Sequence, residues 1–333
     1  MSHRRGAGTP ACWVETRLDL ARATILLCLT ALTVFSAPKP QIYSLAYRPD
    51  GAIIALGGYK EVRLVDPSGK VTATLSGHAE AVRAVAFSPD GKRLAAAGGL
   101  PARKGEVKIW DVAGQTVTAT ITGHSDCIYA AAFSPDGATL ATAGYDRLIK
   151  LWDATTGKEI RTLRDHVDAV FALAFTLDGK RLVSGAADRS VKIWDVAGGT
   201  RLYTLSDPTD GINTIALSPD GQRVAAGGLD KTIRVWRLGG KEGTLETSLI
   251  AHEDAILKLA WSPDGKYLAS ASADHTVKLW QASDLSEVRT YPRQPDWAFG
   301  LEFSPDGKSL TAGLFNGLLE TYEVDHGKTL AAR

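Results

Sequence analysis

The chain has 333 residues and a formal net charge of +1, from 38 Lys and Arg against 37 Asp and Glu, which argues against a surface built chiefly to neutralise phosphates. The length suits one large all-β domain and is too short for such a domain plus a second catalytic one. Cys12 and Cys28 fall within the first 40 residues, so Cys127 stands alone in the rest, and no internal disulfide or zinc-type cluster is expected.

Residues 23–38 are uncharged and mostly apolar, flanked by Arg22 and Lys39, with Arg4, Arg5 and Arg17 upstream. This is the layout of a secretory signal, and its core is shorter than the roughly 20 residues that a spanning helix needs. Val34 and Ser36 place cleavage before Ala37. Removing residues 1–36 would leave 34 basic and 35 acidic residues. Against export stand the long leading region and its Glu15 and Asp19. A second reading has residues 33–35 closing a sheet by adding an outer strand to the last repeat. However, residues 327–330 align with residues 157–160, so the last repeat brings its own. The expected compartment is extracytoplasmic if residues 1–36 act as a signal and cytoplasmic otherwise, with contact to a membrane only through an N-terminal anchor.

From Gln41 the chain repeats itself. Pro-Asp-Gly stands at residues 49–51, 89–91, 135–137, 219–221, 263–265 and 305–307, and Leu177-Asp178-Gly179 fills the gap, making seven copies 40 to 46 residues apart. The fullest copy, residues 123–153, reads GHSDCIYAAAFSPDGATLATAGYDRLIKLWD. Each copy holds short runs of alternating apolar residues, as in Val82, Val85 and Phe87 and then Leu94, Val107, Ile109 and Trp110, which predict strands. In Ser-Pro-Asp-Gly the proline presets φ, the aspartate bonds back to nearby amides and the glycine takes a positive φ, so the turn is a hairpin. A period of this length with Gly-His before and Trp-Asp after predicts a four-stranded antiparallel blade. Seven such blades fanned about an axis bury one another's faces, giving an all-β, seven-bladed propeller. Blades one and two cover residues 41–76 and 77–122, the second with an insertion at residues 100–104. Blades three to six begin near Gly123, Asp165, Asp207 and Ala251, and the seventh covers residues 295–333.

On these recurring columns the chain resembles the WD-repeat family from about Gln41 to its end. Three blades carry a complete polar set: His124, Thr142, Asp146 and Trp152; His166, Ser184, Asp188 and Trp194; His252, Ser270, Asp274 and Trp280. Histidine to hydroxyl is 18 residues, hydroxyl to aspartate four and aspartate to tryptophan six in all three. The resemblance implies a buried hydrogen-bond chain from tryptophan through hydroxyl to histidine, with the aspartate tying the turn. His166, Ser184 and Asp188 also look like a catalytic triad, but a catalytic site is assembled once from dissimilar neighbours, whereas this trio recurs. No catalytic residue is assigned. Elsewhere the set is partial: His78 and Trp110 with Ala96 in the hydroxyl column, Asp230 and Trp236 without a histidine, Asn316 and Tyr322 in the last blade, and Val65-Asp66 alone in the first. Local opening is therefore expected where the first and last blades meet.

The resemblance also implies that partners dock on the face carrying the loops into the innermost strands. The residue five before each hairpin turn is Tyr43, Arg83, Tyr129, Phe171, Asn213, Leu257 and Phe299. Four of these seven are aromatic, and they either pack against neighbouring blades or, the reading preferred here, form a binding crown at the channel mouth, to which Trp297 and Arg103-Lys104 of the insertion add asymmetry. Three residues earlier come Glu80, Asp126, Asp168, Asp210, Asp254 and Asp296. They either cap loop amides or form an acidic collar that favours a basic partner. Lys108, Lys150, Lys192, Arg234 and Lys278 form a basic column, but acids lie near each, so no nucleic acid is expected. Gly57-Gly58, Gly98-Gly99 and Gly227-Gly228 end strands and lack the helix a phosphate loop needs. The leading expectation is a non-enzymatic interaction scaffold for a protein or peptide partner, monomeric and without cofactor or metal. The alternative is a small ligand or metal ion in the central channel, with or without catalysis.

Overall fold

The computed structural model describes residues 40–332. Residues 1–39, with both the signal expected there and the alternative closure strand at residues 33–35, lie outside them. All regular structure in the described residues is β: six sheets, five four-stranded and one seven-stranded, with neighbouring strands antiparallel and in sequence order. The seven-stranded sheet is two blades joined by one strand, Val71–Phe87, the outer strand of blade one and the inner strand of blade two. Counted this way there are seven four-stranded blades.

The hairpin turns are made as their residues dictate. In blade three, Ser134 Oγ donates to Asp136 Oδ1 (2.5 Å), the same oxygen accepts the Ala138 amide (2.9 Å), and Gly137 takes a φ of 70°. Blade four shows why its variant is tolerated. Thr176 Oγ1 donates to Asp178 (2.6 Å) and Gly179 sits at φ 67°, so Leu177 need only occupy the position that proline presets elsewhere.

Buried clusters are shared between adjacent blades: Val62, Leu64 and Leu75 pack with Leu94 and Trp110, and Ile149, Leu151 and Leu163 with Leu182 and Trp194. The inner strands Ser44–Tyr47, Val71–Phe87, Ile128–Phe133, Val170–Phe175, Ile212–Leu217, Ile256–Trp261 and Ala298–Phe303 all contribute to the wall of one central cavity of about 510 Å³. Blade seven packs on blade one. Leu319 joins Ile42, Ile54, Leu56 and Val65, the Tyr47 hydroxyl meets Thr311 Oγ1 at 2.6 Å, and the Tyr47 amide donates to Glu302 Oε2 at 2.8 Å. The outer place of blade seven is filled by its own strand, Thr329–Ala332. Among the described residues no strand is exchanged across this seam.

The polar set expected in three blades is present in all three. In blade four, Trp194 Nε1 donates to Ser184 Oγ (2.8 Å), Ser184 Oγ lies 2.7 Å from His166 Nε2, and His166 Nδ1 lies 2.7 Å from Asp188. Because Asp188 accepts from Nδ1, Nε2 is left as the acceptor for the serine hydroxyl, and the chain of bonds runs one way without conflict. The corresponding hydroxyl in blade three is Thr142, 2.7 Å from Trp152 Nε1 and 2.8 Å from His124 Nε2, and in blade six Ser270, 2.8 Å from Trp280 Nε1 and 2.7 Å from His252 Nε2.

The incomplete blades improvise. In blade five Pro208 and Ala226 occupy the histidine and hydroxyl columns, and Trp236 Nε1 donates directly to Asp207 (2.8 Å). In blade seven Gln294 stands for the histidine and donates to the Tyr322 hydroxyl (2.7 Å), which in turn donates to Glu320. Blade two has no substitute: Ala96 is fully buried, and His78 Nε2 and Trp110 Nε1 are both buried without a hydrogen-bond partner. The missing member is the hydroxyl that would accept from one and donate to the other. Ala96→Ser is therefore expected to stabilise the protein by about 1–2 kcal/mol. Calorimetry should show a rise in Tm of about 2–4 °C, and an unchanged or lower Tm would show that the two nitrogens are not waiting for this oxygen.

Candidate functional site

The histidine–hydroxyl–aspartate trios cannot act on a substrate. Ser184 and Ser270 are fully buried, as is Thr142, and each hydroxyl already accepts from a tryptophan indole. The trios are struts of the blades.

The expected crown, in contrast, has a local cause. In blades two to seven the pairing of the first and second strands slips around one residue, between Val82 and Ala84, Ile128 and Ala130, Val170 and Ala172, Ile212 and Thr214, Ile256 and Lys258, and Ala298 and Gly300. The residue skipped is Arg83, Tyr129, Phe171, Asn213, Leu257 or Phe299. Each crown side chain in these blades thus sits on a β-bulge, which turns it out of the strand's normal alternation. Tyr43 stands just before the first inner strand, its amide bonded to Gly57 O (2.8 Å).

The crown is uneven. Trp297 and Phe299 meet edge to face (6.1 Å between centroids), Phe299 meets Phe315 (5.9 Å), and Phe315 meets Tyr43 (5.7 Å) across the seam. The Arg83 guanidinium lies 5.6 Å from the Tyr43 ring and 4.9 Å from that of Tyr129, and Tyr129 meets Phe171 at 5.2 Å. An unbroken arc of rings, with one cation at its centre, so crosses blades seven, one, two, three and four. Blades five and six interrupt it: Asn213 donates to Ile256 O (2.9 Å), and Leu257 is buried. Tyr129, Arg83, Trp297 and Phe299 are half-buried, while Tyr43 and Phe171 are each only 9% exposed.

Two arc members were missed by reading the crown column alone. Phe315 closes the gap at the seam, and Tyr145, 39% exposed, packs on both Tyr129 and Phe171. Both stand one residue before the turn position held by Asp146 and Asn316, a column that would have revealed them. Val167 and Ile250, 74% and 75% exposed, flank the loops into the inner strands of blades four and six and were also overlooked.

The acid column mainly builds its own loops. Asp126, Asp168, Asp210, Asp254 and Asp296 each accept the next residue's amide at 2.7–2.8 Å, and Asp126 also accepts the Ala102 amide (2.8 Å), anchoring the insertion of blade two. The collar is not acidic overall. Arg147, Arg189, Lys231 and His275 occupy the turns between second and third strands and Lys60 stands at the start of the third strand of blade one, all at positive φ of 63–69°, so bases share the face with the acids. The basic column is spent within its blades: Lys150 on Glu159 (2.6 Å), Lys192 on Asp165 (2.9 Å), Arg234 on Asp230 (2.6 Å), Lys278 on Glu287 (3.3 Å) and Lys108 near Glu106 (3.7 Å). The glycine doublets serve packing, since a Cβ on Gly98 or Gly228 would collide with the carbonyl of Ala81 or Gly211. Among the described residues no three His, Cys, Asp or Glu side chains converge as a metal site.

The sequence model of the family described as WD domain, G-beta repeat matches residues 69–111, 115–153, 157–195, 199–237 and 243–281. The chain belongs to this family. No curated protein matches it. Each WD repeat begins on the outer strand of one blade and ends on the third strand of the next, so the matched stretch skips most of blades one and seven, where Val65 and Tyr322 replace the tryptophan.

In blade four of this WD-repeat protein, burial pushes the Asp188 carboxyl up, but hydrogen bonds from His166 and Ser190 and the charge of His166 outweigh it and hold the group at about 2. A carboxyl depressed in the folded state stabilises fully above its unfolded value of about 3.9 and loses that contribution as pH falls through the folded value. Asp188→Ala is expected to cost roughly 1–3 kcal/mol near neutral pH by orphaning buried donors. In urea melts the gap between wild type and Asp188→Asn should stay constant above about pH 5 and close between about pH 4 and 2. A gap independent of pH would contradict the bond from His166.

Proposed function

We propose that this WD-repeat protein is a non-enzymatic binding module that holds a segment of a protein partner across the channel mouth. WD-repeat propellers commonly act as interaction scaffolds, and the observation that carries the reading here is the arc from Trp297 through Phe315, Tyr43, Arg83 and Tyr129 to Phe171. Aromatic rings and arginine are the side chains that dominate binding energy at interfaces. They lose little conformational entropy on contact because their positions are already fixed by one another. With acids and bases interleaved around the rim, the partner is selected by apolar and aromatic contacts more than by net charge. The chemistry of residues 23–38, an apolar run between Arg22 and Lys39, supports action outside the cytoplasm, where a cytosolic or nucleic-acid partner would not be met.

Two measurements test these proposals. A photo-crosslinking amino acid at Tyr129, on the arc, should capture discrete proteins in the producing cells, whereas the same probe at Leu177, 62% exposed in a hairpin turn on the other face, should not. Trp297→Ala with Phe299→Ala should abolish capture, and about 0.5 M salt should not. Equal capture from both faces would overturn the rim as the binding surface. N-terminal sequencing of the mature protein from fractionated cells should begin at Ala37; an intact Met1 in the cytosolic fraction would refute export.

A further inference from the structure

The bore beneath the crown is faced by the residues one and three places further along each inner strand. In five blades both are small, as in Ala84 with Ala86 and Ala130 with Ala132. Adjacent blades six and seven break the pattern with Lys258 and Glu302, both lining the cavity of about 510 Å³. The other polar groups of the bore are occupied. Ser44 Oγ donates to Val82 O (3.1 Å), Thr214 Oγ1 accepts the Leu259 amide (3.1 Å), and Glu302 Oε2 accepts the Tyr47 amide (2.8 Å). The Lys258 ammonium makes no hydrogen bond or ion pair with any described residue; Glu302 reaches it only through its field. Around these two groups the bore is walled by small side chains, with Ala84, Ala132, Ala172 and Ala260 among its members.

We propose that the bore is a binding site for a monocarboxylate carried on an apolar body, with Lys258 as its anion receptor. The carboxylate would accept hydrogen bonds from the Lys258 ammonium, and the body would lie against the methyl groups of Ala84, Ala132, Ala172 and Ala260. A cation that no side chain of the fold engages offers an incoming anion a charge-assisted hydrogen bond that breaks no existing one. Burial within the bore holds the Lys258 amine below its usual range against the opposing pull of Glu302, and pushes the Glu302 carboxyl up to about 7. Glu302 also sets the selectivity: a second negative charge on the ligand would meet a carboxyl already committed to the Tyr47 amide. The cavity volume is within the range of small-ligand pockets. This site lies within the bore and is distinct from the rim proposed to take the partner.

Isothermal titration of the purified protein tests the site with phenylacetate and hexanoate as probes, phenylacetamide as the neutral twin, and adipate as the dicarboxylate. The acids should bind with a Kd on the order of 0.1–1 mM, and phenylacetamide and adipate at least about tenfold more weakly. Lys258→Met should lose at least about tenfold in affinity for the acids, Lys258→Arg should retain binding, and Glu302→Gln should admit adipate. A short peptide ending in phenylalanine, with a free or an amidated C-terminus, separates the two sources of such a group. Stronger binding of the free-ended peptide than of phenylacetate would assign the site to a chain end, and weaker binding would assign it to a small acid. Equal binding of phenylacetate and phenylacetamide, unchanged affinity in Lys258→Met, or no heat from either acid up to about 10 mM would each overturn the proposal. The comparison of acid with amide needs only the wild-type protein, so it decides even if Lys258→Met does not fold.

Discussion

A four-stranded sheet has two faces to hide from water and no means of hiding either alone. That constraint explains the chain's most visible property, its seven near-copies. Each blade supplies half of two clusters, so Leu151 and Trp194, from different repeats, share one interior. Apolar area removed from water stabilises by roughly 25 cal/mol per Å², and in this arrangement almost all of it is removed between blades. The histidine–hydroxyl–tryptophan chains then solve the problem the packing creates, which is how to bring indole and imidazole nitrogens into the interior without orphaning them. Blade two shows what happens when one oxygen is missing, with two nitrogens stranded around Ala96.

The innermost strands face a different problem, since they have a sheet partner on one side only. Bulges there detach one residue in each of blades two to seven from the ladder and free it from the alternation that rules the neighbouring positions. Holding the fold and presenting a surface are thereby assigned to different residues. Positions in register are nearly uniform from blade to blade, while the skipped ones range from arginine to phenylalanine. The unevenness matters: four-sevenths of a ring of aromatics, with Asn213 and Leu257 interrupting, is a directional surface, and a uniform ring would not be. Lys258 and Glu302 are a second departure from uniformity, placed in the bore instead of on the rim.

Most of the fold was legible in the sequence because a hairpin turn and a buried hydrogen-bond chain leave residues at fixed separations. Pro-Asp-Gly marked every blade but one, and Asp178-Gly179 behaved as its equivalent once Thr176 took the serine's part. The crown positions were also readable, as a column counted from the turn. What stood outside the reading depended on contacts between repeats. Phe315 belongs to the arc because it reaches Tyr43 in another blade, and only the column one residue before the Asp146 and Asn316 turn positions, not the crown column, points to it. Asp207 and Gln294 complete their blades by chemistry that breaks the motif, so a search for histidine passes over them. The acid column caps loop amides, the first of the two readings its position allowed, while the lysines and arginines at the turns were not read as sharing its face. The bulges have no signature of their own, since a bulged strand and a regular one alternate alike to within one residue.

The seam between blades seven and one is fastened differently from its counterpart between blades one and two. There a single unbroken strand, Val71–Phe87, carries the chain across, whereas the seam relies on Tyr47, Leu319 and the contact of Phe315 with Tyr43. The aromatic arc passes over this joint. Anything seated along it would act as a strap over an open-ended collar, with its affinity added to the work needed to spring the collar apart. Occupancy at the mouth and the lifetime of the disc would then be one quantity seen from two sides.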